Sequence, residues 1–151
     1  MNKPRRAARE LALNILYQAD IAGIPLDEAI STAIENASTS PEVKEYAEAL
    51  ARGAWKYVKE TDAATSLLSP EWPPDRQPAV DRNIIRMAVY EIKYVDSVPP
   101  IVSVDEAIEL AKKYSTADSS KFVNGVLAAY LRQKENVQEV KDIAGTDSQR
   151  D

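Results

Sequence analysis

No stretch of this chain alternates apolar and polar residues, while long segments repeat apolar residues at three- and four-residue intervals, with prolines gathered between them. A strand needs the two-residue period, and a proline inside regular structure removes a donor and fixes φ. Prolines fall at 70, 73, 74 and 78 and again at 99 and 100, and only four glycines occur, at 23, 53, 125 and 145. The pattern predicts an all-α protein. Its 151 residues suffice for one domain, or for two small subdomains sharing a core.

The first helix is expected over residues 4–21, with Ala8, Leu11, Ala12, Ile15, Leu16 and Ala19 as its buried stripe and Gly23-Ile24-Pro25 as its stop. Arg6, Arg9, Leu13 and Tyr17 share another face, which either a second helix or a partner must cover. A second helix is expected over 26–36. Ser40-Pro41 reads as N-cap and first helical residue of a third, running to about residue 59. The pattern resumes through Ala63, Ala64, Leu67 and Leu68, as the same helix bent near Thr61 or as a separate short one. Residues 69–78 form the internal boundary, with Trp72 expected to anchor that loop to the body.

The helix expected over 79–96 has a wide apolar sector, and Glu91 falls inside it; a buried Glu91 needs a cationic or hydrogen-bonding partner. Ser103-Val104-Asp105-Glu106 has the form of a capping box and reads as the next helix start. Asp105, Glu106, Lys112 and Lys113 then suit the helix macrodipole without further function. The last helix is expected over 118–134. Val123, Val126, Leu127 and Tyr130 face the core, while Asp118, Lys121, Phe122 and Gly125 share a flank. This divides the chain into a domain at 1–134 (subdomains 1–68 and 79–134 joined by 69–78) and a frayed polar tail at 135–151.

Without histidine or cysteine, the commonest general bases, nucleophile pairs and transition-metal ligands are missing. No phosphate-cradling glycine loop or nucleophile elbow occurs, and Asp105, Glu106 and Glu109 carry no catalytic pattern. A binding module, with no enzyme activity, cofactor or metal, is the expectation. No apolar run of membrane-spanning length and no signal-peptide segment is found, so no membrane partner and a cytoplasmic setting are expected. The net charge of −5 argues against a general nucleic-acid coat, yet Lys3, Arg5, Arg6 and Arg9 concentrate four of nineteen basic residues in the first nine positions.

Four blocks carry a resemblance. They are Arg5-Arg6-Ala7-Ala8-Arg9-Glu10-Leu11-Ala12 with Leu16-Tyr17-Gln18, then Val80-Asp81-Arg82-Asn83-Ile84-Ile85-Arg86-Met87-Ala88-Val89-Tyr90-Glu91, then Val104-Asp105-Glu106-Ala107-Ile108-Glu109-Leu110-Ala111-Lys112, and finally Lys121-Phe122-Val123-Asn124-Gly125-Val126-Leu127. In this order the chain resembles the NusB family of bacterial transcription antitermination factors. The resemblance implies an all-α fold of two small helical bundles packed together, with six to seven helices. It implies pairing with the ribosomal protein NusE, binding of single-stranded boxA-type RNA in ribosomal RNA operon leaders, and action within an RNA polymerase antitermination complex. By residue match, Lys3, Arg5, Arg6, Arg9, Tyr17, Asp118, Lys121, Phe122 and Asn124 would face RNA, and Asp75 and Asp81 would face NusE.

Two departures stand out. Ala7 replaces a third basic residue of some relatives, and the proline-rich loop differs around Asp75. Cations and rings from both ends of the chain can serve one strand only if their faces adjoin in the fold, and they are expected to. Two other readings compete: a scaffold or homodimer using Leu13, Tyr17 and Phe122, and an RNA-binding module like the N-terminal domain of rRNA cytosine methyltransferases.

Overall fold

The computed structural model describes residues 3–150, with side chains over residues 3–136. Among them, seven α-helices and one 3-10 turn follow in order: α1 (Lys3–Ile21), α2 (Leu26–Asn36), α3 (Pro41–Lys56), α4 (Val58–Leu68), the turn Pro74–Arg76, α5 (Ala79–Tyr94), α6 (Pro100–Tyr114) and α7 (Ala117–Arg150). No strand occurs among the described residues.

Helices α1, α2 and α3 pack on one another, as do α5, α6 and α7, and α5 also packs on α1, α3 and α4. The wide apolar sector of α5 explains that position: Ile84, Ile85, Met87, Ala88, Val89 and Ile92 are all buried. One apolar core runs through α5, from Ala8 and Leu16 of α1 to Val123 and Leu127 of α7.

Local chemistry sets several boundaries. The Ser40 hydroxyl accepts from the Val43 N–H at 3.3 Å and caps α3, with Pro41 behind it. Beyond the end of α1, Gly23 has φ 67°, a left-handed turn that glycine adopts without a Cβ penalty. The α3–α4 question resolves as two helices meeting at Tyr57 (φ −103°, ψ 18°). No proline or glycine marks that joint. Instead the Tyr57 ring stacks on Tyr94 of α5 with centroids 4.2 Å apart, a contact made only in the tertiary structure.

Three expectations need correction. The α6 helix starts at Pro100, not at Ser103; a Pro-Pro pair that reads as a stop also supplies a proline suited to the first helical position. Ser103 is therefore one turn inside α6 and its side chain is buried. Trp72 does not anchor its loop through its ring, which is 53% exposed; its backbone carbonyl accepts from Gln77 Nε2 instead. The α7 helix continues past Lys134 to Arg150, where a frayed tail was expected. Gln133, Lys134 and Glu135 are good helix formers, so nothing in them stops the helix at residue 134. The side chains of 137–150, and residue 151, lie outside the described residues.

Candidate nucleic-acid interface

The basic end of the chain forms the first two turns of α1, and the structure separates its cations by depth. Arg9 is 5% exposed. Its Nε donates to both Glu91 oxygens (3.2 and 3.1 Å) and its Nη2 to Glu91 Oε1 (3.0 Å). The Tyr46 hydroxyl from α3 and the Ser103 hydroxyl from α6 each donate to the same carboxylate at 2.6 Å. Glu91 thus has the partners that its place in the apolar sector of α5 demanded, drawn from three other helices. Burial, then the bond to Glu91, pushes the Tyr46 phenol well above its ordinary value and keeps it a donor. Arg9, expected at the RNA face, is instead turned into the interior to neutralise this charge.

Arg6 remains at the surface. Its side chain is 54% exposed and grips the buried Glu106 with two parallel bonds, from Nε at 3.0 Å and Nη2 at 2.8 Å. The Arg6 hydrogen bond holds the Glu106 carboxyl below the usual carboxylate range, against the opposing effect of burial. The Arg5 guanidinium stacks over the Tyr46 ring, 3.9 Å from its centroid. Lys3 is exposed.

Further along the seam between α1 and α6, Lys113 donates to Glu10 at 2.8 Å and lies 5.4 Å from the Tyr114 ring centroid. Glu10 lines two adjoining depressions. One, of about 160 Å³, contains Arg6, Glu106 and Lys113. The other, of about 290 Å³, contains Leu13, Asn14, Tyr17, Val80 and Tyr114. The seam therefore runs continuously from surface cations to two tyrosines, Tyr17 37% exposed and Tyr114 46% exposed. Leu13 is buried in the core, so half of the apolar pair on this face is covered by the fold itself.

At the start of α7, the Thr116 hydroxyl accepts from the Ser119 N–H at 3.0 Å and caps the helix. Asp118, Lys121 and Asn124 are exposed on that helix, while Phe122 is half-buried against the core. A Cβ at Gly125 would meet nothing within 4 Å, so the space beside Phe122 is open. Helix α7 packs on α6, and α6 is ion-paired to α1, whereas α1 and α7 share no extensive packing. The two candidate faces are linked through α6 rather than laid directly together.

The two acids expected at a protein partner differ. Asp75 is exposed on the 3-10 turn. Asp81 is 2% exposed, and its Oδ1 is buried without a hydrogen-bond partner. The described chain does not present Asp81 to a partner. The sequence pattern does not mark Ser103 and Tyr46 as partners of Glu91, nor Glu106, Lys113 and Tyr114 as parts of this seam. The capping-box pattern concealed Ser103 and Glu106; the available signal was Glu91, whose burial called for partners.

Comparison with known proteins agrees with this architecture. The model of the NusB family matches residues 6–132. The chain belongs to the NusB family. The transcription antitermination protein NusB of Symbiobacterium thermophilum is 47% identical, over 85% of this chain and 89% of that protein. That of Desulforamulus reducens is 40% identical, over 87% of this chain and 92% of that protein. Among solved structures, T. maritima NusB matches with a TM-score of 0.77 and 33% identity, covering 85% of this chain and 90% of that one. A chain in a crystal structure of the antitermination factors NusB and NusE in complex with dsRNA matches with a TM-score of 0.77 and 31% identity, covering 85% and 96% respectively. The fold of this NusB-family chain is accordingly the two-bundle helical fold expected of it. Among its described residues, no helix is long and apolar enough to cross a membrane, and no group of three or more acidic residues could hold a metal ion.

Proposed function

We propose that this NusB-family chain is a non-enzymatic cytoplasmic adaptor that pairs with a NusE-type ribosomal protein, binds single-stranded boxA-type RNA of ribosomal RNA operon leaders, and promotes read-through by RNA polymerase. The observation that carries this reading is the α1–α6 seam, where exposed cations and exposed aromatic rings line two adjoining depressions that share Glu10. Single-stranded RNA is held by that combination, with cations along phosphates and rings under unstacked bases. A duplex conceals its base faces and would leave the rings unused. Lys3, Arg5 and Arg6 serve phosphates; Tyr17 and Phe122 serve bases; Lys121, Asn124 and Asp118 offer polar contacts beside Phe122. Arg9 acts indirectly, by holding the helices that carry the others.

Asp75 is the acid offered to the protein partner, and the solved relative in complex with NusE and dsRNA supports pairing with both a protein and an RNA, its RNA there being a duplex. A homodimer or scaffold built on Leu13, Tyr17 and Phe122 is less well supported, since Leu13 is buried. The relatives named above are antitermination proteins, which favours that role over a methyltransferase module.

The test is fluorescence anisotropy with labelled boxA-type RNA, a scrambled strand and a duplex, each with and without NusE at fixed salt. Preferential binding of the boxA-type single strand, strengthened by NusE, is the expected result. Equal affinity for all three RNAs, or none with NusE present, would overturn the proposal.

A further inference from the structure

Cations along the α1–α6 seam are tied to carboxylates of the same chain: Arg6 to Glu106, Lys113 to Glu10, and Lys112 to Glu109. The first two pairs are asymmetric. The Arg6 and Lys113 side chains are 54% and 59% exposed, whereas Glu106 and Glu10 beneath them are 8% and 26% exposed. Glu106 also occupies the Nε–Nη2 edge of Arg6, the edge with which a guanidinium grips a phosphate through two parallel bonds.

We infer that Glu106 and Glu10 are specificity-determining residues: their carboxylates stand where phosphates would bind on Arg6 and Lys113, so that a polyanion offering charge alone is disfavoured. This rests on the RNA-binding reading above and deepens it. A bare polyanion must break each tie for a contact no better than the one lost. A strand that also stacks bases on the neighbouring rings brings attraction that the carboxylates cannot imitate. Partly exposed pairs of this kind are weak, so the ties lower nonspecific affinity a few-fold each without closing the site. Together with the net charge of −5, they leave discrimination to the bases rather than to the phosphates.

The experiment uses full-length wild type, Glu10→Gln and Glu106→Gln, with three probes: heparin, a twelve-nucleotide oligouridylate, and boxA-type RNA with NusE. Each substitution is expected to raise affinity for heparin and oligouridylate roughly two- to fivefold. The salt dependence should steepen, by up to about 0.7 in log–log slope for oligouridylate. The boxA-type complex should gain less, so the specificity ratio falls. Unchanged or weakened binding of heparin and oligouridylate by both variants would overturn the inference and make the carboxylates braces only. Thermal unfolding accompanies each variant; if Glu106→Gln does not fold, Glu10→Gln at the rim decides alone. The heparin arm does not depend on RNA recognition, so its outcome is separable from failure of the boxA-type arm.

Discussion

At the scale of single residues, two glycines in helices have opposite consequences. A Cβ at Gly53 would run into the Tyr90 ring, which lies against the α3 backbone. Gly53→Ala is expected to lower stability by about 1–3 kcal/mol in urea unfolding, because the ring must leave its stack with Tyr57 and Tyr94. At Gly125 the space is open, so Gly125→Ala should stabilise α7 by up to about 1 kcal/mol. If a base lies beside Phe122, the same change should weaken RNA binding; a stabilised variant with unaltered affinity would remove the base from that place. Phe122→Ala should cost roughly 1–3 kcal/mol of RNA binding if a base stacks there. Lost stability with unchanged affinity would leave Phe122 as a core plug.

At the scale of elements, α5 is tied to the rest of the protein by two polar networks as well as by its core. Toward its C-terminal end, Glu91 binds Arg9, Tyr46 and Ser103. Toward its N-terminal end, Arg82, Asn83 and Arg86 all donate to Asp20 Oδ2 of α1, at 2.6, 2.9 and 3.0 Å. Arg86 also forks onto Asp62 of α4 at 2.9 and 2.7 Å. Removing Arg9 leaves the Glu91 charge buried with only hydroxyl partners, so Arg9→Ala should destabilise by about 3–5 kcal/mol, well beyond a selective effect on RNA. Burial works against the Asp20 charge, yet bonds from Arg82 and Asn83 and the Arg86 charge outweigh it and lower its pKa. Glu106 is lowered by Arg6 in the same sense. As pH falls, the unfolded chain therefore takes up protons at these carboxyls first. Between about pH 5 and 9 stability should be level, and it should decline as pH drops through the depressed folded-state values. Denaturant titrations across that range check this, and Asp20→Asn should flatten the slope; a protein that gains stability on acidification would contradict it.

At the scale of the whole molecule, an acidic body offers a few cations on two faces joined through α6, and the salt dependence of binding should count them. With Lys3, Arg5, Arg6 and Lys121 reaching phosphates, log K for single-stranded RNA should fall against log[salt] with a slope of about −2 to −3. A slope near zero would exclude the cations from binding. Much of this arrangement is written in local pattern. Helical period and clustered prolines determined the all-α class, the Ser40-Pro41 start of α3 and the central place of α5, because periodicity and backbone constraint act over a few residues. Glu91 even announced its need for partners, since a charge inside an apolar sector cannot stay alone. Tertiary structure alone decided who the partners were. Ser103 and Glu106 look like a helix cap until α5 and α1 arrive to use them, and the joint at Tyr57 coincides with a ring stack on Tyr94 that no local pattern announces. Arg6 and Arg9 are alike in sequence and only about 60° apart around α1, yet with about 4.5 Å of rise between them one stays at the surface and the other turns inward. Which of two neighbouring cations meets solvent depends on the helices packed around them, and that packing brings together residues some 80 to 100 positions apart.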